Sequence, residues 1–251
     1  LNSRLGVVRA DAGRVDDGGL MFTPASEIRM RAAKWLYALR IPLGMLTLLA
    51  GREGIGKSSI TYDVISKITH GFLEGRFFGV PKSVGIVATE DAWAETIVPR
   101  LVAAKADLAR VFRIEPKNSG KVKLPRDVEA LRRLCRRHGV VMIVIDPLMS
   151  VIDSGTDTHK NAETRDKALD PLVKFAEEEQ VAILALMHVT KSGRTDPLES
   201  IGGTKAFVEV ARSIMYCLAE PDAEGGDGYL FTHPKCNIGP KQTSVRYRIQ
   251  E

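Results

Sequence analysis

Apolar residues along this chain fall into short unbroken runs, separated by stretches with helical spacing. Residues 46–50 form one such run, and 83–88, 140–145 and 181–187 form three more. Runs of this length, apolar on both faces, are what buried parallel strands require. Between them, Ile60, Val64, Ile65 and Ile68 share one helical face. So do Ile97, Leu101, Ala104 and Leu108, then Val128, Leu131, Leu134 and Cys135, then Ala168, Leu169, Leu172, Val173 and Ala176. Arg132, Arg133, Arg136 and Arg137 fall on the opposite side of the third helix and are expected to face solvent.

Shorter signals complete the order. Residues 111–114 read as a short strand, Ala206, Phe207 and Val210 as a helix, and 213–218 as a strand. Residues 229–232 and 245–249 alternate as a hairpin-like pair does. Strand and helix alternate, so the pattern predicts an α/β fold. It has a mostly parallel central sheet flanked by helices and ends in a C-terminal antiparallel strand pair.

The ends and loops are less regular. Residues 1–25 are rich in Gly, Asp and Arg and show no period, which predicts a flexible N-terminal arm or linker before a domain at 26–251. Residues 26–39 read as a short helix, with Ser26 as N-cap and Ile28, Ala32, Trp35, Leu36 and Leu39 on one face. Phe72, Phe77 and Phe78 are expected to cap the core. Residues 117–126 read as a solvated basic loop, and 153–165 as a polar, mobile one.

The run at 46–50 leads directly into Gly51-Arg52-Glu53-Gly54-Ile55-Gly56-Lys57-Ser58-Ser59. This is G-x-x-x-x-G-K-S between a strand and a helix, the context a phosphate-binding loop needs. Its glycines let backbone N–H groups converge on phosphate oxygens. The helix that follows turns its positive end toward the same anion. Lys57 is placed to reach the β- and γ-phosphates, and the Ser58 hydroxyl to hold Mg²⁺.

Three more runs end in chemistry. Residues 83–88 lead to Thr89-Glu90-Asp91, 140–145 to Asp146, and 181–187 to His188. Parallel strands bring their carboxyl ends to one edge, where such sheets bind ligands. Asp146 is the expected metal-linked aspartate and Glu90 the candidate general base. Asp91 is read as the N-cap of the next helix. His188 is placed to hydrogen-bond the γ-phosphate, and Lys191 to contact phosphate or DNA.

Composition narrows the picture only a little. Of 251 residues, 27% are charged and 44% hydrophobic, so a folded domain is expected and disorder is not. The net charge of +5 is compatible with nucleic acid without requiring it. Cys135, Cys217 and Cys236 are far apart, so neither a zinc site nor a disulfide framework is suggested, and a reducing cytoplasm is expected. No apolar run is long enough for a transmembrane helix. The chain begins at Leu1, and is read as trimmed or as one piece of a longer protein.

With these residues in place the chain resembles the RecA-like P-loop ATPases. More narrowly it is similar to the hexameric replicative helicases, a branch that includes plasmid RepA and AAA-family ATPases of phages and mobile elements. The likeness covers about residues 35–251. It rests on the phosphate loop, on Gly85-Ile86-Val87-Ala88-Thr89-Glu90-Asp91-Ala92-Trp93, on Ile143-Val144-Ile145-Asp146-Pro147-Leu148, on Leu186-Met187-His188-Val189-Thr190-Lys191, and on residues 201–212.

The resemblance implies a RecA-like core, ATP and Mg²⁺, and a ring of copies, a hexamer by analogy. It implies single-stranded DNA as partner and no membrane. Glu90 then corresponds to the catalytic glutamate, Asp146 to the Mg²⁺-linked aspartate and His188 to the sensor. The loops after Asp146 and Lys191 correspond to DNA-facing loops, with Arg194 and Lys205 as backbone contacts. One segment departs from the family. Where many members carry K-x-R-x-G-P, this chain has Lys235-Cys236-Asn237-Ile238-Gly239-Pro240. An arginine finger contributes about 10³–10⁵ in turnover. Lys235 is retained as a group acting on a neighbouring subunit, and Arg212 is the candidate replacement.

Three alternatives stand beside a DNA motor. One is a switch ATPase that remodels or recruits a partner without unwinding. Another is a nucleotide sensor with slow turnover. The third is a small-molecule kinase, for which no acceptor motif or arginine lid stands out.

Overall fold

Val140–Asp146 is the most apolar stretch of the chain, and it lies where such a stretch must, inside the sheet with a strand on either side. The computed structural model describes residues 22–118, 120–153, 155–157, 160–190, 196–220 and 228–249. The chain divides into two units, Leu1–Ala32 and Ala33–Glu251. The described part of the first holds one 3-10 turn, Ala25–Glu27. All the elements below belong to the second.

In chain order the strands are β1 (Trp35–Tyr37), β2 (Ile41–Pro42), β3 (Leu46–Gly51), β4 (Ser83–Ala88), β5 (Val111–Arg113), β6 (Val140–Asp146), β7 (Ala182–His188), β8 (Ser213–Ala219), β9 (Tyr229–Cys236) and β10 (Val245–Tyr247). The helices are α1 (Lys57–His70), α2 (Val98–Ala103), α3 (Val128–His138), α4 (Leu148–Val151), α5 (Asn161–Thr164), α6 (Asp170–Glu179) and α7 (Lys205–Val210). Strands β1 and β2 form a small antiparallel pair. The main sheet runs β10-β9-β8-β3-β7-β6-β4-β5. From β8 to β5 every pairing is parallel, and β9 and β10 are added antiparallel at one edge.

The two-residue period of a strand sorts its side chains between two cores. Leu48, Ile143, Ile145, Ile183 and Ala185 pack with Leu131, Phe175 and Phe207 of α3, α6 and α7. Leu49, Met142, Val144, Leu184 and Leu186 pack on the other face, with Ile65 of α1 and Leu101 of α2. Phe175 and Phe207 are both fully buried, and truncating either to Ala costs about 3–5 kcal/mol.

Several expectations are corrected. Residues 26–39 form no helix beyond the 3-10 turn. Instead β1 forms as the antiparallel partner of β2, and the loop at 74–76 adds backbone bonds: Ala38 N–H donates to Glu74 O and Arg76 N–H to Trp35 O. The helix expected through Leu108 stops at Ala103. Lys105 takes a left-handed φ of 59°, and Leu108 lies exposed in a 3-10 turn. Phe72 and Phe78 do not cap the core but are exposed.

The basic loop at 117–126 is anchored rather than free. Lys123 Nζ donates to Ser150 O and Ile152 O, and Val122 and Leu124 are buried. Arg132 is largely covered, held by Glu129, Glu178 and Glu179, and Arg136 also bonds Glu179. Within the polar stretch at 153–165, α5 forms and Thr164 is buried.

Candidate active site

The face of the sheet covered by α1 is also the face that carries the chemistry. Met142 and Val144 point to that side, and Asp146 continues the same alternation. Ala182, Leu184 and Leu186 do the same for His188 on β7. Ile86 and Ala88 lead likewise to Glu90, just beyond β4. Gly51 is paired with His188, and Ala88 with Asp146, so the strand ends lie level. A cleft of about 940 Å³ opens there. Glu53 to Ser59, Glu90, Asp146 and His188 all line it.

The loop enters α1 through Gly56, whose φ of 88° suits glycine. A Cβ there would stand 2.8 Å from Ile249 Cδ1, the end of an exposed side chain that would have to shift, so the backbone conformation is the stronger demand for glycine. Lys57 is buried, and its Nζ donates to Gly51 O at 2.9 Å and to Arg52 O at 2.7 Å. Phosphate oxygens would compete for the same protons. Burial holds the Lys57 ammonium below its ordinary range, partly offset by the charge of Asp146.

Ser58 Oγ donates to Asp146 Oδ2 at 3.4 Å. Burial pushes the Asp146 carboxyl up, and the nearby Asp91 carboxylate adds to this, while Lys57 opposes it. A hydroxyl and a carboxylate side by side are hard oxygen donors of the kind Mg²⁺ takes, and an added cation would relieve the buried charge. Among the described residues no group of three or more His, Cys, Asp or Glu could hold a metal ion.

His188 Nδ1 lies 4.0 Å from Glu53 Oε1. Asp91 is not a helix cap. The turn after it begins at Trp93 with Ala92 in the cap position, and Asp91 Oδ2 accepts from Arg100 Nη1 at 3.2 Å. The reason is competition, since the guanidinium is a stronger donor than a backbone N–H.

Other residues named from the sequence lie elsewhere. Arg212 and Lys235 stand by the amino-terminal end of β8, across the sheet from the cleft. Arg212 N–H donates to Leu46 O, and Lys235 Nζ donates to Val208 O and, at 3.4 Å, to Glu209 O, capping α7. Lys205 opens α7 and is exposed. Lys191 and Arg194 lie outside the described residues.

The cleft also has walls the sequence did not announce. Tyr62 and Arg100 line one part of it. Tyr247, Arg248 and Ile249 line another, with the Tyr247 hydroxyl donating to Ile55 O. Among the described residues no helix is long and apolar enough to cross a membrane.

Comparison with known proteins gives the family and the fold. Residues 18–194 match the family model AAA_25, described as an AAA domain. Among solved structures, the ATPase domain of another protein has the same fold, with a TM-score of 0.59 and 14% sequence identity over 84% of this chain and 81% of that one. No curated protein matches the chain. By the family match the chain belongs to the AAA domain family AAA_25, and its fold is the RecA-like α/β fold.

Proposed function

We propose that this protein is a Mg²⁺-dependent ATPase that assembles as a ring and works as a DNA helicase or translocase, in replication of a phage, plasmid or mobile element. The observation that carries the reading is the single cleft lined by Lys57, Ser58, Glu90, Asp146 and His188. Residues 51–59 wrap the phosphates, with Lys57 on the β- and γ-oxygens. Ser58 and Asp146 hold Mg²⁺, which when bound neutralises charge on the phosphates. Glu90 takes a proton from the attacking water, and such a base contributes about 10²–10⁴ in rate. His188 reads the γ-phosphate.

The ring and the DNA rest on weaker supports. Lys235 and Arg212 lie away from their own cleft, which suits groups offered to a neighbour. Lys205, with Lys191 and Arg194, supplies charge for a phosphate backbone. The second reading, a switch or a slow sensor, is favoured by one feature: Lys235 is engaged on α7 of its own chain, and Asn237 stands in the arginine position.

The test is ATP hydrolysis with and without single-stranded DNA, with Lys57→Ala and Glu90→Gln as controls. Stimulation by DNA that is lost in both variants is the expected result. Hydrolysis indifferent to DNA would favour the switch, and ATP binding without turnover the sensor.

A further inference from the structure

His188 divides its ring between two environments. Its Nδ1 is buried and has no hydrogen-bond partner among the described residues. The side chain as a whole is 42% exposed, so the exposure falls on other ring atoms, toward the cleft that the residue lines. Glu53 is the acid within ion-pair range of Nδ1, with Oε1 at 4.0 Å. Glu53 sits on the phosphate loop, lines the same cleft and is 88% exposed, so its side chain turns freely. At 4.0 Å the pair stands outside hydrogen-bond distance, about 2.8 Å, and reaches it only if the Glu53 side chain turns toward the ring.

We infer that Glu53 is the positioning residue for His188: its carboxylate accepts the Nδ1–H and so turns Nε2 to the phosphate end of the cleft. This rests on the reading of His188 as the γ-phosphate sensor. The hydrogen bond made by one imidazole nitrogen decides the state of the other. A ring that donates from Nδ1 has a lone pair on Nε2, and it binds a phosphate oxygen only after a second proton arrives there. In the ATP state the ring is held between two anions, Glu53 and the γ-phosphate. Other charged groups lining the cleft are Lys57, Glu90, Asp91, Asp146, Arg100 and Arg248, with Asp63 on α1.

Departure of the γ-phosphate removes one of the two anions, and the contact between Glu53 and His188 weakens with it. The phosphate loop and Gly202 then respond together. Gly202 is tied to the same residue, because its N–H donates to His188 O at 3.0 Å.

Two measurements on the full chain test this. The first is ring nitrogen NMR of ¹⁵N-histidine protein with the β,γ-imido analogue of ATP, the His188 signals being assigned by their loss in His188→Gln. A protonated Nδ1 is expected, and Glu53→Ala should shift it. The second is a double-mutant cycle on turnover. Removing a group that orients a functional imidazole costs about 10–100-fold, so Glu53→Ala should lower kcat by about tenfold or more, with KM for ATP changed by less than about threefold. Glu53→Ala added to His188→Ala should cost nothing further, because the two act as one unit.

Unchanged ring signals in Glu53→Ala, or losses that simply add, would overturn the pairing. If His188→Ala is slow while Glu53→Ala hydrolyses ATP at the full rate, the pairing falls and the sensor stands. If His188→Ala itself runs at the full rate, the sensor reading falls and the pairing goes with it.

Discussion

The parallel strands β3, β4, β6 and β7 and the wing formed by β8, β9 and β10 both reach the phosphate loop, by different routes. The parallel strands deliver side chains from their carboxyl ends: Glu90, Asp146 and His188 arrive because each ends an apolar run at the same edge. The wing delivers support. Cys217 of β8 backs Gly51 so closely that a Cβ there would meet its carbonyl at 2.8 Å. Tyr247 bonds Ile55 O, and Ile249 lies against Gly56. Chemistry is placed by where strands stop, and the loop that binds phosphate is braced by residues nearly the whole chain away.

The largest break in this arrangement comes where the two regions touch. Gly56→Ala puts a Cβ on a left-handed backbone and against Ile249 Cδ1. A non-glycine residue in that conformation costs about 1–3 kcal/mol before any clash, so if the strain is relieved by distorting the loop, ATP affinity should fall by about 5- to 150-fold. Titration with a fluorescent ATP analogue reads it. Ile249→Ala added to Gly56→Ala separates the two causes: it should recover the steric part and leave the backbone part. Full recovery would mean that the wing alone demands glycine here.

Acid should separate the regions next. His233 on β9 is buried, its Nδ1 accepting from Gln242 N–H at 3.1 Å and its Nε2 bonded to Ser213 Oγ at 2.8 Å. Burial, with Arg40 and Lys241 nearby, pushes its pKa down to about 4. The native form is neutral, and the unfolded chain gains a proton first as pH falls. This stability is therefore complete above the ordinary histidine range and is lost between there and about pH 4, roughly 3 kcal/mol in all. Hydrogen exchange should show β9 and β10 losing protection in that window before β6 and β7 do.

The opposite sign holds at the parallel edge. Asp146 is raised by burial, so its contribution to stability is present below the ordinary carboxylate range and lost as pH rises through its folded value. At neutral pH the buried charge is a cost. Asp146→Asn should raise the melting temperature of the nucleotide-free protein, and on the proposed function it should also abolish hydrolysis. A lower melting temperature would mean that the bond from Ser58 outweighs the burial.

What could be read from the sequence follows the same division. β3, β6 and β7 are legible because a strand buried on both faces has to be apolar throughout, and the phosphate loop because its spacing is rigid. Residues 26–39 misled because the apolar positions Trp35, Leu36 and Leu39 suit a helical face as well as a strand. Pairing with β2 made the choice, with added backbone bonds to Glu74 and Arg76 that no local pattern reveals. Asp91 misled because a cap and an ion pair use the same carboxylate, and Arg100 decided between them. Tyr247 and Ile249 could be read as a strand, but nothing near them in the chain says that the strand ends over Ile55 and Gly56.

Tyr247→Phe is the smallest and most specific test of that last contact. The ring stays stacked on Tyr229, with centroids 5.3 Å apart, and the hydroxyl is lost with its bond to Ile55 O and its contact to Cys217. One neutral hydrogen bond contributes about 0.5–1.5 kcal/mol. If the wing merely covers the loop, that loss appears as a small drop in melting temperature, and nucleotide binding is unchanged. If the wing holds the loop in its phosphate-binding shape, ATP affinity falls by a similar energy, about 2- to 10-fold, with kcat kept. The second outcome is expected, because the carbonyl in question belongs to the residue between Gly54 and Gly56. A loop with glycine on both sides of its apex has little stiffness of its own, so an outside bond to that apex is what sets its shape.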